Sequence, residues 1–263
     1  MILESKYVFV AVPTQSLRDL LGSVEIADSS YIISLSKGVE QGTHIFPSQI
    51  IKQCTSERHD ICTLSGPSHA EEVALGIPTT VVVASPNMTL NRKVQEVMSL
   101  TTFRVYSNSD ILGVEIAGAI KNVISVASGM CAGLGFGDNT TAALVTRGLS
   151  EIVRLSKELG AEDSTFYGLA GIGDLCVTAF SKHSRNRQFG IRIGKGEKPL
   201  DALKEMGMVV EGYHTVESLY NMMVDMNVDM PISRNVYQIL YEGLSPRQAI
   251  LDLMSRDLTH ENN

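Results

Sequence analysis

The chain has 263 residues, 44% of them hydrophobic and 19% charged, with a formal net charge of −7. That apolar share supports one large core or two smaller ones and excludes a disordered chain, while the negative charge gives no reason to expect nucleic acid or an anionic membrane as a partner. No run approaches the roughly 18 uninterrupted apolar residues of a membrane span, no basic and then apolar leader opens the chain, and four cysteines without a Cys-x-x-Cys pair read as reduced thiols of a cytoplasmic protein, with little support for a metal site.

In chain order, residues 7–12 form a continuous β-branched and aromatic run stopped by Pro13, which predicts a strand buried on both faces. Residues 14–21 have helical spacing, with Leu17, Leu20 and Leu21 on one side. A strand is expected at 31–35, a helix at 47–54, and a third strand at 60–64 leading into Gly66-Pro67-Ser68. Ser68 is placed to cap a short helix whose first turn holds Glu71 and Glu72. A strand at 79–84, a helix at 90–100 and a short strand at 103–106 follow, and strands spaced by such helices predict βαβ units in a largely parallel sheet.

The pattern changes near Asp110. Residues 111–130 predict one long apolar helix with Ile116, Ile120, Val123, Ala127 and Met130 on one face, and only helices follow, at 140–159, 174–180, 184–193, 199–206, 215–226, 233–241 and 245–254. The expected organisation is therefore an α/β unit over 1–110 and an all-helical unit over 111–263. The α/β unit reads as incomplete. A dinucleotide fold opens with a strand, a G-x-G-x-x-G turn and a helix whose first amides hold pyrophosphate, and no such string occurs here. Two more βα units of about 30 residues each would supply it.

Three places carry candidate chemistry. Lys37 lies at the C-terminal end of a predicted parallel strand, where ligands of open α/β sheets collect; a solvated loop lysine before Gly38 fits the spacing equally well. Lys121 sits in the middle of the long apolar helix, beside the small residues Ala117, Gly118, Ser125 and Ser128. Dehydration there favours the neutral amine and lowers its pKa, which suits a proton donor and acceptor near neutral pH better than it suits a snorkelling lysine. Asp174 begins a predicted helix, and from Lys182 to Lys198 six Lys or Arg residues stand against one acid, Glu197. Within that stretch Arg185 and Asn186 offer forked donors for a small anion; a solvated basic face is the alternative.

Several ordered strings give these residues a context: Ser36-Lys-Gly38, Leu64-Ser-Gly-Pro-Ser-His-Ala-Glu-Glu-Val73, Ala119-Ile-Lys-Asn-Val123, Gly168-Leu-Ala-Gly-Ile-Gly-Asp-Leu175, Ser184-Arg-Asn-Arg187 and Val209-Val-Glu-Gly212. From Tyr7 almost to the C-terminus the chain resembles the bacterial NAD(P)-dependent glycerol-3-phosphate dehydrogenases, shortened at the front. The resemblance implies an incomplete Rossmann-type domain followed by a helical domain like that of 6-phosphogluconate dehydrogenase. It implies NAD or NADP as cofactor, sn-glycerol 3-phosphate and dihydroxyacetone phosphate as substrates, supply of glycerophospholipid synthesis, and a homodimer. It makes Lys121 the general acid and base. It makes Lys37, Gly66, Ser68, Lys121, Asp174, Thr178, Ser184, Arg185 and Asn186 substrate contacts, and Lys37, Ala70, Arg185, Val209 and Glu211 cofactor contacts. Ala179-Phe180 departs from the smaller or hydroxylated residues more usual in the family. Without the glycine turn, the chain as given is expected to bind cofactor weakly and to turn over slowly. The competing readings are a truncated, inactive remnant that dimerises or binds anions, and a related β-hydroxyacid dehydrogenase, which the Gly-Pro-Ser-His-Ala and Ser-Arg-Asn-Arg strings disfavour.

Overall fold

A computed structural model describes residues 2–3, 5–55, 58–258 and 260–261. Its first half alternates strands β1 (Ile2–Leu3), β2 (Tyr7–Val10), β3 (Glu25–Ile26), β4 (Tyr31–Ser34), β5 (Ile61–Ser65), β6 (Thr79–Ala84) and β7 (Phe103–Asn108) with helices α1 (Leu17–Gly22), α2 (Pro47–Cys54), α3 (Ala70–Ala74) and α4 (Met88–Met98). Helices follow from there on: α5 (Ile111–Gly133), α6 (Asp138–Glu158), α7 (Asp163–Phe166), α8 (Asp174–Phe180), α9 (Arg185–Gly194), α10 (Pro199–Met206), α11 (Glu211–Asp225), α12 (Pro231–Tyr237) and α13 (Pro246–Met254).

Five strands make one sheet in the order β2-β4-β5-β6-β7, and β1 pairs with β3 beside it. All pairs are parallel except β5 with β6, because the link between those two is only the short helix α3 and the chain folds straight back. β2 ends at Val10, two residues earlier than its apolar run: the Leu35 amide donates to the Val10 carbonyl, then the Ser36 hydroxyl takes the Val12 carbonyl in place of a ladder bond. β2 lies at the edge of the described sheet, so Phe9 is 41% exposed while Val8 and Val10 are buried, rather than buried on both faces. The predicted helix at 14–21 is a 3-10 turn (Thr14–Ser16) running into α1, and Leu20 is exposed while Leu17 and Leu21 face the core. Ser68 does not cap α3. His69 holds the cap position, and the Ser68 hydroxyl donates to the Gly66 carbonyl at 3.2 Å.

The helical half is built around α5. Every residue from Gly113 to Cys131 is buried, not one face alone, because neighbouring helices pack all round it. α5 is long and apolar enough to cross a membrane, but it is the central rod of the protein core. The loop after β4 ties the halves together, since Val39 and Phe46 pack into the helical core. Glu115 of α5 reinforces the tie: its buried carboxylate accepts from the Ser48 amide at 2.8 Å and from the Ser48 hydroxyl at 2.6 Å, at the start of α2.

α5 and α9 meet backbone to backbone. A Cβ on Gly190 would lie 2.0 Å from the Val126 carbonyl oxygen and 2.9 Å from the Gly129 Cα, and one on Gly194 would lie 2.4 Å from the Met130 carbonyl oxygen. Neither backbone can yield without moving a whole helix, so even one methyl group must separate them. Gly190→Ala is expected to destabilise the fold by about 3 kcal/mol, read as a lowered midpoint in denaturant; an unchanged midpoint would contradict this packing.

Candidate active site

The long helix α5 carries Lys121 into the interior, at 6% relative exposure. Three turns of sequence logic converge on it. Gly171, where a Cβ would lie 2.0 Å from the Phe166 carbonyl oxygen, lets the chain enter α8 with Asp174 as its first residue, itself 2% exposed. The Lys121 Nζ donates to Asp174 Oδ1 at 2.5 Å and to Thr178 Oγ1 at 2.9 Å. Thr178, one turn beyond Asp174, donates its own proton to the Asp174 carbonyl at 2.6 Å, which fixes its lone pairs toward the lysine. From the C-terminal edge of the sheet, Lys37 donates to the other carboxylate oxygen, Asp174 Oδ2, at 2.7 Å and reaches the Gly66 carbonyl at 3.4 Å.

Two ammoniums and one carboxylate thus share a nearly dry site. Burial pushes the Lys121 pKa down to about 7; Asp174 opposes the shift and the nearby Lys37 adds to it. Burial alone would raise the Asp174 carboxyl, but the two lysines outweigh it and hold it below the usual range, as an anion. The small residues beside Lys121 have identifiable uses. Ser125 and Ser128 donate to the Thr178 and Ala179 carbonyls and dock α8, while a Cβ on Gly118 would lie 3.5 Å from the Lys37 chain and 3.2 Å from Ser65 Oγ.

A second group gathers at the start of α9. Ser184 is its N-cap and accepts from the Arg187 amide at 3.2 Å; its hydroxyl also meets Ser125 Oγ at 3.0 Å. The amides of Arg185 and Asn186, in the first turn, have no intrahelical acceptor and favour an anion. Asn186 links this end to the other parts: its amide donates to Asn122 Oδ1, beside Lys121, at 2.9 Å, and its oxygen accepts from the Gly212 amide, beside Glu211, at 2.9 Å. Glu211 packs on Gly38 and receives a hydrogen bond from the Thr14 backbone; burial raises its pKa to about 7.

Lys37, Gly66, Lys121, Asp174 and Thr178 are therefore in one hydrogen-bonded cluster, and Ser184, Asn186 and Glu211 border it. Ser68, Ala70, Arg185 and Val209 are exposed, and of these Ser68 reaches the cluster, through its hydrogen bond to the Gly66 carbonyl. Most of the basic stretch faces elsewhere, with Arg192 bound to Glu197 at 3.1 Å and Glu205 at 2.7 Å. Phe180 is exposed and Ala179 buried in the helical core, so that departure leaves the partners of Lys121 intact. Asn122 was visible as the residue after Lys121, yet nothing in the string showed that it bridges to α9.

Family models described as the N-terminus and the C-terminus of NAD-dependent glycerol-3-phosphate dehydrogenase match residues 1–91 and 110–251. The chain belongs to that family. Glycerol-3-phosphate dehydrogenase (NAD(P)+) of Clostridium acetobutylicum is 46% identical over 98% of this chain and 78% of its own length, and that of Geobacillus thermodenitrificans is 48% identical over 97% and 76%. The crystal structure of the Coxiella burnetii glycerol-3-phosphate dehydrogenase superposes with a TM-score of 0.90 at 33% identity, covering 95% of this chain and 77% of that one. The architecture of this family member is accordingly a Rossmann-type sheet followed by helices, and its cofactor is NAD or NADP.

Asp174 is the counter-charge that keeps the Lys121 ammonium in a buried place. Asp174→Asn removes it while preserving shape, so the neutral amine gains and the lysine titrates below the value of about 7 seen beside the carboxylate. NMR titration of the lysine signals reads this directly; an upward or absent shift would contradict the electrostatics described.

Proposed function

We propose that this dehydrogenase interconverts sn-glycerol 3-phosphate and dihydroxyacetone phosphate, with Lys121 as general acid and base, and so feeds glycerophospholipid synthesis. The observation that supports it most strongly is the buried Lys121, with a pKa near 7, held by Asp174 and Thr178. A nicotinamide cofactor, when bound, would supply the chemistry of hydride exchange at C2 of the substrate. In reduction the Lys121 ammonium delivers its proton to the C2 oxygen, and in oxidation the neutral amine takes it back. Asp174 orients the amine and offsets the cost of keeping it charged, and Thr178 fixes the direction of the proton. Lys37, which shares Asp174, is assigned the contact to both substrate and cofactor, a reading its place beside Lys121 supports.

In this reading Gly66 and Ser68 bound the substrate on the sheet side. Ser184, Arg185 and Asn186 hold the phosphate at the start of α9, and with the Ser184 hydroxyl spent as cap, the free first-turn amides and Arg185 supply the donors. The residues present also fit a nicotinamide cofactor. Thr14 Oγ1 and Glu211 Oε2 are buried oxygens without a protein partner, both within 3.0 Å of the point where a Cβ on Gly38 would stand, at the C-terminal edge of the parallel strands. Lys37, Ala70, Arg185, Val209 and Glu211 would hold it. We assign cofactor binding to residues 1–110 and substrate binding with dimer contacts to 111–263, in a cytoplasmic homodimer, in keeping with four free cysteines. An inactive remnant is not favoured by close relatives that carry the name of the enzyme over nearly the whole chain.

Because the ammonium is the acid and the amine the base, the two directions depend on pH with opposite sign. Ketone reduction should fall as pH rises through about 7, and alcohol oxidation should fall as pH drops through it. Lys121→Ala should lower kcat by about 10²–10⁴ and abolish that shared limb; steady-state rates measured in both directions across pH check it, and retention of full turnover would remove Lys121 from the chemistry.

A further inference from the structure

Beside the residues assigned above, two histidines meet across the junction of the two halves. His69 follows Ser68 in the loop leaving β5 and occupies the cap position of α3. His183 precedes Ser184, the N-cap of α9. Their ring centroids lie 6.0 Å apart with planes tilted by 54°. They thus bring the sheet-side loop of Ser68 against the helix start that carries Arg185 and Asn186.

His69 has an unused group there. Its Nε2 is shut off from solvent and has no hydrogen-bond partner, although the ring as a whole is only partly buried. Nor does the side chain cap α3, the local task its backbone position offers. A ring nitrogen with neither water nor protein as partner has a hydrogen bond to offer a ligand. The chemistry of that ligand follows from the surroundings. The first-turn amides of α9 and the Arg185 guanidinium favour an anion rich in oxygens, and a phosphate has more acceptor positions than those donors fill.

We propose that His69 is a specificity-determining residue whose Nε2–H donates to the substrate phosphate, with the tilted His183 ring packed beside it. This rests on the reading of the α9 start as the phosphate end of the substrate. His69 and Ser68 then close over the phosphate from the sheet side while α9 holds it from the helical side, and a phosphate-free alcohol loses both grips. The phosphate does not change its charge or bonding during hydride and proton transfer at C2. A donor to it stabilises ground state and transition state alike, so its removal belongs in KM and not in kcat.

The experiment compares wild type with His69→Leu, which keeps the size of the ring without a donor, and His69→Gln, whose amide nitrogen stands near the position of Nε2. Expected for His69→Leu are a KM for dihydroxyacetone phosphate raised about 10-fold, kcat within about 2-fold of wild type, an unchanged KM for NADH, and about 10-fold weaker binding of inorganic phosphate by calorimetry. His69→Gln should recover most of the loss. A rise confined to the KM for NADH or NADPH would move the contact to a cofactor phosphate and overturn the assignment. Wild-type values for His69→Leu, or a fall in kcat with KM unchanged, would also overturn it. If His69→Leu does not fold, His69→Asn, whose shorter amide cannot reach the Nε2 position, takes its place against His69→Gln, and equal phosphate affinities refute the proposal. Wild-type enzyme that fails to discriminate glycerol 3-phosphate from glycerol would refute the phosphate reading itself, whatever His69 does.

Discussion

The placement of an ammonium inside a helical core is the constraint on which this structure turns. Leaving water costs a charged group several kcal/mol even after the surroundings relax. Lys121 meets that cost in two ways at once: it gains Asp174 as counter-ion, and it gives up part of its basicity. A fully compensated lysine would stay charged throughout and could not take a proton back, while an uncompensated one would stay neutral and could not give one. The second lysine sets the balance, because Lys37 draws on the same carboxylate and adds its own positive charge beside Lys121. The reactive state is therefore a property of three residues from both halves of the chain, not of Lys121 alone.

Such a balance survives only if distances hold to a few tenths of an ångström, and the architecture supplies that rigidity through backbone contacts more than through side chains. The glycines of α5 and α9 remove every atom that could act as a compressible spacer, so the start of α9 stands at a fixed height relative to Lys121. Ser125 and Ser128 fasten α8 to α5 by its own carbonyls. Asn186 then spans from Asn122 to the first turn of α11, which places Glu211 and the anion-facing amides in one hydrogen-bonded frame.

Much of this was legible in the residues. The switch from strand patterns to helices near residue 110 rests on hydrophobic periodicity, and α2, α8 and α10 begin and end where Pro47, Asp174 and Pro199 open their first turns. The isolation of Lys121 among apolar and small residues foretold its perturbed chemistry. Other features were not legible, because they depend on partners distant in sequence. No local pattern could turn β6 antiparallel to β5, since its β-branched run is the same in either direction. Ser68 and His69 compete for the same cap position, and the Gly66 carbonyl decides between them by taking the Ser68 hydroxyl. The basic stretch from Lys182 onward looked uniform, yet only its first turn borders the site, because Glu205 of α10 claims Arg192.

In the proposed reaction the two ends of the substrate place opposite demands on the protein. The carbonyl end needs a group that changes its protonation state during turnover, hence burial, a counter-ion of limited strength and a pKa near the working pH. The phosphate end needs donors that do not change, for which an exposed guanidinium and helix amides are suited because each holds its proton against a dianion. Had both tasks been assigned to one helix, the field of the phosphate site would fall along the axis onto Lys121 and raise its pKa as soon as substrate bound. In the proposed reading, an acid on the middle of α5 and phosphate donors at the start of α9, two helices locked by a close glycine crossing, are joined mechanically while Asp174 and Lys37 stay the charges nearest the proton. That arrangement lets binding strength and proton affinity be adjusted by different residues.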